Sequence, residues 1–424
     1  NRINKIGTFT TIKQASSVAE QLGKKRVLSE TYGAGGWESS IRQQKVMAEV
    51  QLSLGVNFMN PHLCHYSMRG ERKRDFPPSI YYQQPYYDYY KDYNEYLASL
   101  TKVLTEGRRA VNILLLHPIE SVWIESSQFD DSKVKNRTEK FKNLVDLLIN
   151  NQKDFHFGDE SIIEKYGSCH ESKFVVGEYK YDYVIVPDIL TIRESTLNLL
   201  KKFAQAGGKV IILDNMPVYI NGMKKDNIVD FPVLKVASEE LPLKIDLLLE
   251  QDFELDNRNK DIIIHKREID GREIIFLLNN GLSQSEFHLM LKSRKKIFNV
   301  WDCLKRNVSR CETVPDSDIT KIKIKLEPFE SILLVEDNSL QNSGANEVKA
   351  QNNILDNSSN MGKPEELKFS SPWTLPEIPV NALTLDYCEF TVGQVKGSDF
   401  TIFLKDKLKN HIGEEITYAF EFRI

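Results

Sequence analysis

The stretch KKRVLSETYGAGGWESS, residues 24–40, decides how the chain is read. Arg26, Val27 and Leu28 form a short apolar strand that runs into Ser29 and a carboxylate, Glu30. A loop with Gly33, Gly35 and Gly36 leads to Trp37, and a helix follows. Ahead of the strand, Ile12, Ala15, Ala19 and Leu22 recur at helical spacing, and Gly23 ends that helix. Behind the loop, Ser40 and Gln43 make a capping box, and Gly55 closes the next helix. Val56 to Met59 is a second buried strand, and a polar loop, PHLCHYSMRGERKRDFPPS, follows it. Tyr86, Tyr90, Tyr93, Leu97, Leu100 and Leu104 then mark a helix that stops at Gly107. Helix and strand alternate, and both strands read as buried, the habit of parallel sheets.

The alternation restarts at Val111–Leu116 and continues through YDYVIVPD, a helix over Leu197, Leu200 and Phe203, and KVIILD. This is an open α/β unit. Its first strand leads into HPIESVW, which has no glycine-rich phosphate loop, so a nucleotide is not expected there. Cys169 in GSCHE lacks the flanking glycines of a nucleophile elbow, and the unit reads as non-catalytic. From about residue 252 the texture is antiparallel. DIIIHKREIDGREIIFLLNNG is a hairpin about Asp270-Gly271, and SEFHLML, KIFNVWD, TKIKIKL and SILLVED follow as strands. Residues 338–368 are rich in Asn, Ser and Gln and read as a linker. The expected layout is 1–108, the C-terminal portion of a barrel; 109–225, an α/β unit; 226–337, an antiparallel β unit; 338–368, a linker; and 369–424, a β-sandwich portion.

The 424 residues carry 56 Lys plus Arg against 60 Asp plus Glu, a net charge of −4. No basic excess exists to neutralise a phosphate backbone, so nucleic acid is not an expected partner. No apolar run approaches the ~20 residues of a membrane helix. Five scattered cysteines form neither a disulfide framework nor a zinc pattern. Cys303 and Cys311 are close enough for a hairpin pair, but buried free thiols are expected.

A parallel strand that ends on a glutamate suits a (β/α)8 barrel, where catalytic groups stand at the carboxyl ends of strands. Glycosidases place two carboxylates across the scissile bond. On spacing alone Glu30 fits equally a solvated loop glutamate or a charge at a helix N-terminus. The polar loop weighs for the catalytic reading. His62, His65, Tyr66 and Arg72 should open on the same face as Glu30, and Trp37 and Tyr66 offer rings for sugars to stack on. His62, Cys64 and His65 also have the look of a metal cluster, but no further ligands accompany them, and no metal is assigned to this chain.

The run from KQASSVAEQLGKKRVLSETYGAGGW through GVNFMNPHLCHYSMRGERKRDFPPS and YLASLTKVLTEGRRAVNILLLHPIESVW resembles large bacterial α-L-rhamnosidases of glycoside hydrolase family 106. FVVGEYKYDYVIVPDILTI, AQAGGKVIILDNMP and NALTLDYCEF extend the resemblance over most of the chain, the linker excepted. It implies a barrel, a glutamine-amidotransferase-like α/β unit, β units and a sugar-binding-like sandwich. It also implies inverting, calcium-assisted hydrolysis, with Glu30 as the carboxylate that activates water. The partner would be an oligo- or polysaccharide of plant or bacterial origin. A homo-oligomer and secretion or periplasmic residence are further expectations. The family's first barrel strands are absent here, and with them the general acid and the calcium ligands. By itself this chain is therefore expected to be inactive. Two other readings stay open: a β-galactosidase-like hydrolase of the same layout, and a non-catalytic carbohydrate-binding or assembly module.

Overall fold

The computed structural model describes residues 8–37, 39–65, 67, 69–71, 80–226, 228–292, 296–314, 319–337, 387–400, 404–411 and 413–420. The expected linker lies outside these residues.

The N-terminal part runs α1 (Thr8–Gln21), β1 (Leu28–Thr31), α2 (Ile41–Ser53), β2 (Phe58–Pro61) and α3 (Tyr90–Thr105). The two strands are parallel, with Leu28 beside Phe58 and Glu30 beside Asn60. Both begin later than the apolar runs that signal them. Asn57 explains the shift, because its side chain replaces backbone pairing at the entry. Its Oδ1 accepts from Val27 N at 2.8 Å, and its Nδ2 donates to Lys25 O at 2.8 Å.

The expectation that both strands are buried fails on one face. Val27 and Val56 are buried against the helices, but Leu28 is 54% and Phe58 51% exposed. Helices cover one side of the pair, and alternation sends Leu28, Glu30, Phe58 and Asn60 to the open side. The Ser40–Gln43 capping box is present in full, with Ser40 Oγ accepting from Gln43 N at 3.2 Å and Gln43 Oε1 from Ser40 N at 3.1 Å.

Helix α1 buries a different face from the apolar one. Phe9, Ile12, Lys13, Ser16, Ser17 and Gln21 are buried, whereas Ala15 is exposed. The surface it meets is polar. Ser16 Oγ donates to Leu54 O at 2.8 Å, and Ser17 Oγ accepts from Phe157 N at 2.9 Å. Gln21 Nε2 donates to Phe157 O and to the Tyr181 hydroxyl.

A five-stranded parallel sheet forms next, with β4 (Ile113–Leu116) beside the edge strand β5 (His156–Gly158). On the other side lie Tyr183–Val186, Lys209–Leu213 and Leu234–Val236, in that order. Helices α4 (Ile119–Glu125) and α5 (Ser132–Asn150) connect β4 to β5. Cys169 sits on a strand, Gly167–His170, of a small hairpin sheet rather than on an elbow.

The antiparallel part holds two sheets of six and four strands. Its Ile262–Ile269 and Arg272–Asn279 hairpin turns at Asp270 (φ +50°) and Gly271 (φ +74°), the left-handed pair that such a turn requires. The short strand β3 (Arg108–Arg109), between α3 and β4, pairs with Glu268 and Arg267 at the edge of the six-stranded sheet. Residues 387–392, 395–400 and 416–419 form a further three-stranded antiparallel sheet. Cys303 and Cys311 are free.

One apolar core joins the first three parts. Leu100 and Leu104 of α3, Leu148 and Phe155, and Ile263, Phe276 and Leu333 belong to the same cluster. A set of buried charges lies alongside it. Asp154 accepts from Lys13 Nζ at 2.9 Å and from Arg109 Nε at 2.5 Å. Glu20 accepts from His156 Nε2 at 2.8 Å and faces Arg267 at 3.6 Å. His265 Nδ1 donates to Leu52 O at 2.9 Å, which leaves its Nε2 toward Arg267. Burial opposes the charge on Asp154, but Arg109 and Lys13 hold its carboxyl below the ordinary range. Burial likewise opposes the charge on Glu20, and the His156 hydrogen bond and the field of Arg109 outweigh it, bringing the carboxyl down to about 2.

Among the described residues no helix is long and apolar enough to cross a membrane.

Candidate active site

The carboxyl ends of β1 and β2 bring Glu30 and His62 together. His62 Nδ1 lies 2.7 Å from Glu30 Oε1, with the Glu30 side chain 65% and the His62 side chain 29% exposed. The pairing follows from the strand register. Glu30 stands beside Asn60, and the chain just beyond β2 is drawn back to β1 by His62 N donating to Thr31 O at 2.8 Å. Thr31 is fixed from the helix side by Gln51 Nε2 at 2.8 Å.

Both strand ends carry unusual backbone. Tyr32 has φ +68° and Leu63 has φ +62°, in the left-handed region that bulky residues seldom enter. Strain of this kind persists only where the surroundings fix it, and it collects at functional sites. Tyr32 is fixed by burial and by a 2.6 Å hydrogen bond between its hydroxyl and that of Tyr93 on α3.

Trp37 and His65 form a second pair. Their ring centroids are 4.8 Å apart with planes tilted by 35°. His65 is buried, and among the described residues neither of its ring nitrogens has a hydrogen-bond partner. Gln84 Nε2 donates to Trp37 O at 2.7 Å and Gln83 Nε2 to His65 O at 2.8 Å, so the segment before α3 ties both loops together. Tyr66 and Arg72, also expected here, lie outside the described residues.

Asn60 escaped the sequence reading. Its signal was its place two residues before His62, at the end of a strand parallel to β1. Among the described residues no group of three or more His, Cys, Asp or Glu could hold a metal ion.

Two clefts do not hold Glu30. One of about 420 Å³ runs between β2 and α3, past Tyr32, Met59, Tyr93 and Leu97. Another of about 710 Å³ opens at the amino ends of the parallel sheet, near Tyr183, Lys209, Asp252 and Lys266. Ligands of open α/β sheets bind at the carboxyl ends of strands, the opposite edge, and Lys266 is already paired with Asp252 and Glu273. The chemistry we assign therefore rests on the strand ends of β1 and β2 and not on the larger cleft.

No family model matches the chain, and no curated protein matches it. Solved structures do share its fold. A rhamnosidase from Novosphingobium sp. PP1Y aligns with a TM-score of 0.59 at 12% identity, over 92% of this chain and 36% of its own. A catalytic mutant of a GH42 β-galactosidase from G. stearothermophilus aligns at 0.54 and 9% identity, over 79% of this chain and 56% of its own. A β-galactosidase from Bacillus circulans sp. alkalophilus gives 0.52 and 10% identity, over 78% and 58%. The chain thus spans less than two thirds of the length of each. Its mixed α/β architecture with several sheets is a fold found in glycoside hydrolases.

Proposed function

We propose that this chain is part of a glycoside hydrolase and contributes the general base, Glu30. One observation carries the reading: a carboxylate held by His62 at the carboxyl end of a parallel strand pair, in a chain whose fold is like that of a rhamnosidase. The preferred substrate is a terminal α-L-rhamnosyl linkage. In an inverting reaction Glu30 takes a proton from water as that water attacks the anomeric carbon. An acid across the bond protonates the leaving oxygen, with about 6.5–9.5 Å between the two carboxyl groups. His62 keeps the Glu30 carboxylate oriented through its Nδ1–H. Trp37, His65, Tyr66 and Arg72 are assigned to the sugar.

The open face of β1 and β2 presents Leu28, Glu30, Phe58 and Asn60, with one carboxylate among them. The acid is therefore assigned to further strands that pack on this face in the parent protein, together with any calcium. The likeness to two β-galactosidases favours a second reading, in which the same site serves a β-galactoside.

The test is hydrolysis of aryl α-L-rhamnoside and aryl β-D-galactoside by the parent protein, with and without Glu30→Gln. General-base loss should cost about 10²–10⁴-fold in rate. Near-full activity in the variant would remove Glu30 from the mechanism, and the preferred aryl glycoside separates the two substrates.

A further inference from the structure

The segment before α3, YYQQPYYDYY over residues 81–90, is unusually rich in tyrosine. Its rings fall into two sets. Tyr86, Tyr90 and Tyr93 turn inward, with the Tyr86 hydroxyl on Ser39 O at 2.5 Å and the Tyr90 hydroxyl on Gln44 Oε1 at 2.5 Å. Tyr81, Tyr82, Tyr87 and Tyr89 turn outward, at 37, 61, 39 and 68% exposure. Three of the outward rings are ordered among themselves. Tyr81 meets Tyr82 edge-on at 5.1 Å and Tyr87 edge-on at 5.3 Å between centroids.

The backbone beneath them is stapled by turns. Gln84 N donates to Tyr81 O at 2.8 Å and Tyr87 N to Gln84 O at 3.1 Å. Gln83 and Gln84 bond the segment to the loops that follow β2 and β1, at His65 and Trp37. A fixed aromatic surface therefore adjoins the Glu30–His62 pair's own loops.

We propose that Tyr81, Tyr82, Tyr87 and Tyr89 form an accessory platform for a glycan chain, so that the substrate is an oligo- or polysaccharide gripped beyond its reacting sugar. This inference rests on the glycosidase reading of Glu30. Contiguous exposed aromatic surface marks a binding site. A phenol pairs an apolar ring face, suited to the C–H face of a pyranose, with a hydroxyl suited to its polar rim. Asp88 is the one charged side chain among residues 80–90, and so low a charge suits a neutral polyhydroxylated partner better than a steered, charged one. Tyr81, Tyr82 and Tyr87 already hold one another before binding, so little ordering entropy of these rings opposes association.

The experiment is native gel retardation and titration calorimetry on the 424-residue chain carrying Glu30→Gln, with and without Tyr82→Ala and Tyr89→Ala. The probes are a neutral α-rhamnan, β-1,4-galactan and the free monosaccharides. A polymer should bind, and the tyrosine pair of substitutions should weaken it about tenfold or more, as loss of central aromatic anchors does. Unchanged melting temperature in the double variant separates this from misfolding. Polymer binding that survives the substitutions overturns the platform, as does the absence of binding by any probe. So does a tyrosine-dependent self-association of the chain without glycan. Failure of the Glu30 assignment, by full turnover in the parent Glu30→Gln protein, would leave retardation intact and is thereby distinguishable.

Discussion

Replacing Asp154 and Lys13 one at a time should give very different losses, although the two side chains touch. Asp154 faces two buried cations, Lys13 at 2.9 Å and Arg109 at 2.5 Å. Asp154→Asn leaves both without their carboxylate, and breaking a buried pair from one side costs about 3–5 kcal/mol. Lys13 is the weaker member. Burial is the dominant influence on its amine and brings its pKa from 10.5 down to about 8, even with Asp154 beside it. The charged lysine is thus about 3 kcal/mol worse off in the fold than in water, at 1.36 kcal/mol per unit. Lys13→Met removes that burden, and Arg109 still faces Asp154. It should therefore fall within about 1 kcal/mol of the wild type at pH 7.

The sign with pH follows from proton counting. Between pH 8 and 10.5 the unfolded chain holds more protons on Lys13 than the folded chain, so stability rises with pH there. From pH 8 to 9 the gain is about 1 kcal/mol. The measurement is urea unfolding followed by circular dichroism, with reductant present for the free cysteines, at pH 7, 8 and 9. The quantity to plot is wild type minus Lys13→Met, in which the buried tyrosine and thiol contributions cancel. A flat difference curve, or a Lys13→Met loss equal to that of Asp154→Asn, would refute the reasoning.

Two further outcomes are expected. Burial raises Glu160 from 4.5 to about 7, so its contribution is complete below pH 4.5 and lost as pH rises through 7; Glu160→Gln should be more stable than the wild type at pH 8 but not at pH 4, as paired melting curves would show. Gly107 has φ +66° and a Cβ there would sit 2.0 Å from Glu268 O, so Gly107→Ala should lower the stability by at least ~1–3 kcal/mol, and an unchanged melting temperature would contradict the packing described.

The legible parts of the fold were those written in local chemistry. Ser40 and Gln43 announced a helix start by side-chain type and spacing, and Asp270-Gly271 announced a turn because few residue pairs accept two left-handed conformations in a row. The illegible parts depended on distant partners. Nothing near Lys13 and Ser17 says that they face Asp154 and the backbone of β5 some 140 positions away, so the apolar spacing of α1 did not mark the face it buries. Strand β5 has three residues, too few for any periodicity. Asn57 moved the start of both β1 and β2 because an amide side chain can stand in for a strand. At the candidate site, Glu30 was visible as a carboxylate ending an apolar run, and His62 as a polar neighbour in the next loop. That the two would meet at 2.7 Å required the register of β1 against β2, which residue types alone do not set.

Strand β3 consists of two arginines that follow the last helix of the first part and precede the first strand of the second, yet they pair with the hairpin of the third. Arg109 also reaches Asp154 in the second part and Ser53 O in the first. A recombination crossover at this point would carry away one sheet's edge and a buried guanidinium together. The three parts should accordingly be inherited as a block.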